Sequence, residues 1–80
     1  MDFALVRKQY RDQEYLIKVG KRLVEIREKK NITQEKLQEL TGFDARQIGR
    51  IERAETNASI SSIKHIANKL DIKISELLDI

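Results

Sequence analysis

Residues 33–53 read TQEKLQELTGFDARQIGRIER, and this stretch decides the fold. It predicts two short helices joined by a tight turn at Gly42, because glycine readily adopts the positive φ that ends a helix. At an advance of about 100° per residue, the second helix carries three arginines within roughly 60° of arc. They are Arg46, Arg50 and Arg53. Ile48 and Ile51 point to nearly the opposite side. One face can therefore pack on a core while the other presents guanidinium groups, as a helix lying in the DNA major groove requires.

The composition favours one small all-α domain. The chain has 80 residues, no proline, no cysteine and three glycines. Without cysteine it can form neither a disulfide framework nor a thiolate metal site. No apolar run approaches the ~20 residues that cross a bilayer, and the N-terminus lacks the apolar region of a signal peptide. We therefore expect a cytoplasmic protein (nucleoid-associated when bound to DNA) with no membrane partner.

Positive charge is concentrated around the two-helix stretch. Residues 18–53 carry ten basic and six acidic side chains, whereas residues 1–17 balance and residues 54–80 are slightly acidic. Such an excess suits a polyanionic partner, although charged helix faces are usually just solvated.

Apolar spacing predicts three further helices. Between about Lys18 and Lys30, a stripe at helical spacing consists of Val19, Leu23 and Ile26. Asn31 is suited to the left-handed position after this helix. The expected N-caps of the later helices are Thr33, Asp44 and Ser59. The fourth helix carries Ile60, Ile63, Ile66, Ala67 and Leu70, and a short fifth near 75–79 carries Leu77 and Leu78.

Residues 1–17 are an N-terminal extension ahead of a domain that spans residues 18–80. Their apolar residues follow no clean period. They could be an arm, a short extra helix or a backward extension of the first helix.

Catalytic patterns do not appear in the sequence. We find no nucleophile–base arrangement, no phosphate-binding glycine loop and no ligand cluster at metal spacing. His65 is the only histidine, and we interpret it as a surface or edge-of-core residue. We expect a protein that is not an enzyme and that needs no cofactor or metal.

Residues 19–78 resemble the phage-repressor-like (Cro/XRE) helix-turn-helix family of DNA-binding transcriptional regulators. The matching segments are VGKRLVEIRE, ITQEKL, TGFD, IGRIER and TNASISSIKHIANKLDIKISELL. The resemblance implies a five-helix repressor-like bundle in which helices two and three form the helix-turn-helix. It also implies that residues 44–54, approximately, form the recognition helix.

The resemblance further implies roles for individual residues. Gln34 corresponds to a glutamine that touches backbone phosphate and braces the recognition helix. The positions that face base edges are Ala45, Arg46, Gly49 and Arg50, with Gln47 beside them. Arg53 and Asn57 match places where the chain meets phosphate. Arg27 and Glu52 match a salt bridge between helices one and three.

The residue types at these positions limit which DNA bases the recognition helix can distinguish. A guanidinium can bridge O6 and N7 of guanine, and each such pair contributes about 1–3 kcal/mol of discrimination. Arg46 and Arg50 can act in this way, or they can contact phosphate or remain on a solvated face. Ala45 could pack on a thymine methyl, and Gly49 offers no readout. Three departures from the family pattern put the loop path and the helix crossing in question, namely Gln38 for alanine, Ala54 for glycine and Ala58 for proline.

Our leading hypothesis is a sequence-specific double-stranded DNA-binding regulator, such as a repressor, that acts as a homodimer on a palindromic operator. The C-terminal end, with Ile74, Leu78 and Ile80, is the expected dimer surface, and the extension is its rival. The alternative is an antitoxin-like protein that binds a toxin through residues 1–17 and autoregulates through DNA. A third hypothesis is a protein-interaction module that has lost DNA binding, which Gln38 favours and the three arginines oppose.

Overall fold

The computed structural model describes residues 10–80, and this part of the chain is all-helical. Its helices are α1 Gln13–Lys29, α2 Gln34–Thr41, α3 Ala45–Glu52, α4 Ile60–Lys69 and α5 Ile74–Leu78. Helix α1 packs against α3 and α5, α2 packs against α3 and α4, and α4 packs against α5. The prediction of a five-helix bundle with a helix-turn-helix formed by α2 and α3 is confirmed. No helix within residues 10–80 is long and apolar enough to cross a membrane.

Helix α1 begins at Gln13, five residues before the expected start at Lys18. The Asp12 carboxylate accepts a hydrogen bond from the Tyr15 amide at 3.1 Å and thereby caps the helix. Residues 13–17 are therefore a backward extension of the first helix, one of the three interpretations that the sequence left open. Residues 1–9 of the predicted extension lie outside the described residues.

Side-chain caps also set the starts of the next three helices. The amides of Lys36, Gln47 and Ser62 donate to Thr33, Asp44 and Ser59 at 3.0, 2.8 and 3.0 Å. Each cap satisfies a backbone donor that has no partner within its helix. All three N-caps expected from the sequence are confirmed.

Three helices end in a residue that has a left-handed conformation without being glycine. Asn31, Ala54 and Asp71 follow α1, α3 and α4 and have φ values of 58°, 58° and 59°. After α3, the Glu55 amide donates to the Arg50 carbonyl at 2.7 Å and the Ala54 amide donates to Ile51 at 3.1 Å. This pair of bonds is the Schellman motif. Gly42, with a φ of 79°, ends α2 as predicted.

One apolar core joins the five helices. Its buried members are Val19, Leu23, Ile26, Leu37, Ile48, Ile51, Ile63, Ile66, Ala67, Leu70 and Leu77. Ile60 fits the spacing of the fourth helix but is 64% exposed, because it is the first residue of α4 and lies beyond the core. Leu40, Ile74 and Leu78 are half-buried, and Ile80 is exposed. The core therefore leaves an apolar rim near the N-terminus of α4 and the C-terminus of the chain.

Candidate nucleic-acid interface

Helix α3 is fixed by its apolar side and presents polar groups on the other side. Ile48 is fully buried and Ile51 is 4% exposed. The exposed residues of the helix include Ala45, Arg46, Gln47 and Arg50. Asp44 caps the N-terminus, so the first turn of α3 is held in register. The buried side thus sets the orientation in which the exposed residues can meet a ligand.

Gly49 lies on α3 between the exposed residues, but it is itself buried. The Arg53 side chain covers it, since an added Cβ would come within 2.8 Å of Arg53 Nη1. The Arg53 guanidinium can lie close to the helix backbone because Gly49 has no side chain. In this arrangement its own backbone is not open to a base edge.

Arg53 is partnered by an acidic neighbour. Its Nε and Nη2 donate to the two Glu55 carboxylate oxygens at 2.9 and 3.2 Å. These hydrogen bonds lower the pKa of Glu55 and raise the pKa of Arg53 relative to their ordinary values. Glu55 therefore stays ionised when the pH falls below its ordinary pKa. The Arg53–Glu55 ion pair is lost only when the pH falls through the lowered pKa. A phosphate that binds Arg53 must compete with this carboxylate.

A nearly buried carboxylate joins the first three helices. Glu52 on α3 accepts from Arg27 Nε at 2.7 Å and from Arg27 Nη2 at 3.3 Å. Gln34 Nε2 donates to the same carboxylate at 2.6 Å, and Arg27 Nη1 donates to the Ile32 carbonyl at 3.0 Å. The Arg27 and Glu52 side chains are only 11% and 5% exposed. The network ties the C-terminal end of α3 to α1 and to the first turn of α2.

Helix α1 approaches α3 closely at Gly20. A Cβ at Gly20 would lie 2.4 Å from the Glu52 carbonyl oxygen and 2.8 Å from that of Ile51. Any side chain at this position therefore collides with backbone atoms of α3. The sequence pattern did not single out Gly20, because its apolar spacing identifies faces and not the distance between helices.

The loop after α3 contacts residues 10–13. Arg11 Nη2 and Gln13 Nε2 donate to the Ala54 carbonyl at 2.8 and 3.0 Å. Asn57 Nδ2 donates to the Tyr10 carbonyl at 3.1 Å. Sequence reasoning missed Arg11 and Gln13. Their acceptor is a backbone carbonyl more than 40 residues away, and no sequence signal marks such an acceptor.

The departures from the family pattern are accommodated locally. Gln38 is half-buried, Ala58 is half-buried against the core, and Ala54 takes the left-handed conformation for which glycine is favoured. His65 is at the edge of the core, as expected, with its Nε2 2.7 Å from the Thr41 carbonyl oxygen. Its ring packs on Phe43 with centroids 5.1 Å apart. Residues 10–80 contain no cluster of three side chains that could hold a metal ion.

The chain is similar to known helix-turn-helix proteins. A helix-turn-helix family model matches residues 23–77. The restriction-modification controller protein C.AhdI from Aeromonas hydrophila is 42% identical, with a TM-score of 0.74, and the match covers 78% of this chain and 94% of that one. A hypothetical transcription factor, NHTF from Neisseria, is 24% identical, with a TM-score of 0.76, and the match covers 89% of this chain and 83% of that one. This second likeness concerns the fold alone. No curated protein matches the chain.

The family match and the geometry agree. The matched residues 23–77 include the whole α2–α3 unit and the Glu52 network that orients it. The exposed arginines lie on α3, the second helix of that unit. The chain belongs to the Cro/XRE-type helix-turn-helix family of DNA-binding transcription regulators.

Proposed function

We propose that the protein reads a specific double-stranded DNA sequence with α3 in the major groove. The observation that carries this proposal is the exposure of Arg46 and Arg50 on a helix whose opposite side, at Ile48 and Ile51, is locked in the core. Neither arginine has a side-chain partner among the hydrogen bonds and ion pairs of residues 10–80. Both guanidinium groups are therefore available for guanine edges or phosphate.

Three other expected contacts have less freedom. Gln34 already uses an amide hydrogen on Glu52, so it braces α3 and can offer its remaining groups to a phosphate. Arg53 is held by Glu55, and Asn57 is held by Tyr10. We assign Arg53 and Asn57 to the phosphate backbone, where contacts position the protein without reading sequence. Ala45 and Gln47 border the arginines on the exposed side of α3.

We further propose that the protein acts as a homodimer on a palindromic operator. One recognition helix makes few contacts, and a second copy one DNA turn away, ~34 Å, doubles them. An apolar groove of about 270 Å³ supports this proposal. It is lined by residues that include Tyr10, Tyr15, Leu16, Ile60 and Leu78. Leu78 from the C-terminal end thus lines the groove together with Tyr10 and Tyr15 from the N-terminal extension, and both regions contribute to the proposed interface.

Selection of duplexes from a random DNA pool at ~0.15 M salt tests the first proposal. We expect a palindrome with half-sites about one helical turn apart. Arg50→Ala should weaken binding to that operator far more than non-specific binding, whereas Arg22→Ala, which removes an arginine from α1, should affect both little. Equal loss on both DNAs would make Arg50 a phosphate contact. Absence of any enriched sequence would refute sequence reading and favour the toxin-binding alternative.

Sedimentation equilibrium tests the dimer. Ile60→Glu places a charge in the apolar groove and should shift the population to monomer. Ile17→Glu is the matched control, because Ile17 is a similarly apolar residue that is 40% exposed and does not line the groove. An unchanged dimer in Ile60→Glu, or a monomeric wild type, would contradict the proposed interface.

A further inference from the structure

The C-terminal end of the recognition helix is tied to the segment that precedes α1. The Ala54 carbonyl accepts hydrogen bonds from both Arg11 Nη2 and Gln13 Nε2. Arg11 Nε also donates to Gln13 Oε1 at 2.8 Å, so the two donor side chains hold each other in place. The Asp12 cap fixes the backbone between them. The result is a small, mutually braced cluster with a single acceptor at the end of α3.

The acceptor lies where α3 is most easily distorted. Ala54 has the left-handed conformation, which is unfavourable for a residue with a Cβ. The same turn carries the bond from the Glu55 amide to the Arg50 carbonyl, and Arg53 directly precedes it. A change in the Ala54 peptide therefore changes the last turn of α3, including two of the three arginines.

The charge of Arg11 suits this location. The carbonyl groups at a helix C-terminus carry a partial negative charge, and a cation there is stabilising. Hydrogen bonds with a charged partner are also stronger than neutral ones. Asn57, farther along the α3–α4 loop, donates to the Tyr10 carbonyl, so residues 10–13 contact that loop at two points.

We propose that Arg11 and Gln13 are positioning residues for DNA recognition, which act by holding the Ala54 peptide and thereby the C-terminal turn of α3. This inference rests on the proposed DNA-reading function. It assigns residues 11 and 13 a role that requires contact with neither a DNA base nor a DNA phosphate. Arg11 is a basic residue near the proposed DNA-binding surface, so direct contact with a DNA phosphate is the competing explanation.

The test uses a double variant, Arg11→Ala with Gln13→Ala, which removes both hydrogen-bond donors. Two single variants, Arg22→Ala and Arg11→Lys, are compared with it. Arg22→Ala is the matched control, because Arg22 Nε also donates to a distant carbonyl, that of Glu76 at 2.8 Å, away from α3. Arg11→Lys keeps a cationic donor. Amide hydrogen exchange at Glu55 is measured in the free protein, and affinity for the selected operator is measured at several salt concentrations. Circular dichroism checks that every variant is folded at the assay temperature.

We expect Glu55 exchange to be about tenfold faster in the double variant, with about tenfold weaker operator binding, which is the size of effect expected when the two hydrogen bonds to the Ala54 carbonyl are lost. The slope of log affinity against log salt should stay constant, since no phosphate contact is lost. Arg11→Lys should recover most of the affinity, and Arg22→Ala should match the wild type.

Two results would overturn the proposal. A salt slope reduced by about 0.9 would identify Arg11 as a phosphate contact. Unchanged exchange and unchanged affinity would show that the tie has no effect on α3. If the wild type selects no operator, the proposed function itself fails, and the exchange measurement still decides whether residues 11 and 13 hold the turn.

Discussion

Replacing Gly20 with alanine should destabilise the protein, even though alanine is the better helix former. The new methyl would lie 2.4 Å from the Glu52 carbonyl oxygen, whereas ordinary van der Waals contact begins near 3.4 Å. Helices α1 and α3 must therefore separate locally by up to 1.0 Å, the difference between these two distances. The two atoms that the new methyl would meet, the carbonyl oxygens of Glu52 and Ile51, belong to the backbone and cannot rotate away as a side chain can.

The magnitude follows from two opposing terms. Alanine gains about 1 kcal/mol over glycine in a helix. Overpacking costs about 1–3 kcal/mol, and a separation of this size also forfeits a quarter to a half of each affected contact, so we expect a cost near or above the upper limit. The net loss is about 2 kcal/mol, which lowers the melting temperature of a domain this small by about 8–16 °C.

Gly49→Ala provides the matched control, because it makes the same substitution at another buried helical glycine. There the obstacle is the end of the Arg53 side chain, 2.8 Å from the added Cβ, and that guanidinium can move. Gly49→Ala should therefore raise stability by about 0.5–1 kcal/mol. Thermal and urea unfolding followed by circular dichroism measure both variants. A Gly20→Ala variant as stable as the wild type would refute the close approach of α1 and α3.

Three further predictions concern single contacts. Glu52→Ala leaves the Arg27 guanidinium buried without its partner and should cost about 3–5 kcal/mol, and urea unfolding of a double-mutant cycle with Arg27→Met should show strong coupling rather than additive losses. Glu55→Gln removes the charge that competes for Arg53 and should strengthen DNA binding several-fold, measured by fluorescence anisotropy, whereas an unchanged affinity would remove Arg53 from the phosphate contacts. Asp71→Gly relieves a left-handed residue and should raise the melting temperature by a few degrees in a calorimetric scan, whereas a lower value would show that Asp71 has another stabilising role.

Local signals predicted most of the helical framework. Thr33, Asp44 and Ser59 mark helix starts because an N-cap depends on one side chain and an amide three residues away. Asn31 and Gly42 mark helix ends because few residue types adopt a positive φ readily. The sequence left three interpretations of residues 13–17 open, since Tyr15 and Ile17, which are 37% and 40% exposed, break the apolar period.

The candidate site was less predictable from sequence. Spacing along α3 identified the exposed arginines, and the resemblance to the family implied that Gly49 lies at a position facing base edges. In the structure the Arg53 side chain covers Gly49 and also reaches Glu55, and the sequence indicated neither contact. The contacts of Arg11 and Gln13 depend on how α1 crosses the end of α3, which no local pattern encodes.

The Glu52 carboxylate also limits how this protein can be divided. It lies on α3 and is held by Arg27 from α1 and Gln34 from α2, so the geometry of the two-helix motif is stored partly in a third helix. A peptide of residues 33–53 alone would carry an acid without its cation and an open apolar side. Engineers who wish to transplant this recognition helix into another scaffold should therefore carry α1 along with α2 and α3, because the Glu52 network spans all three helices.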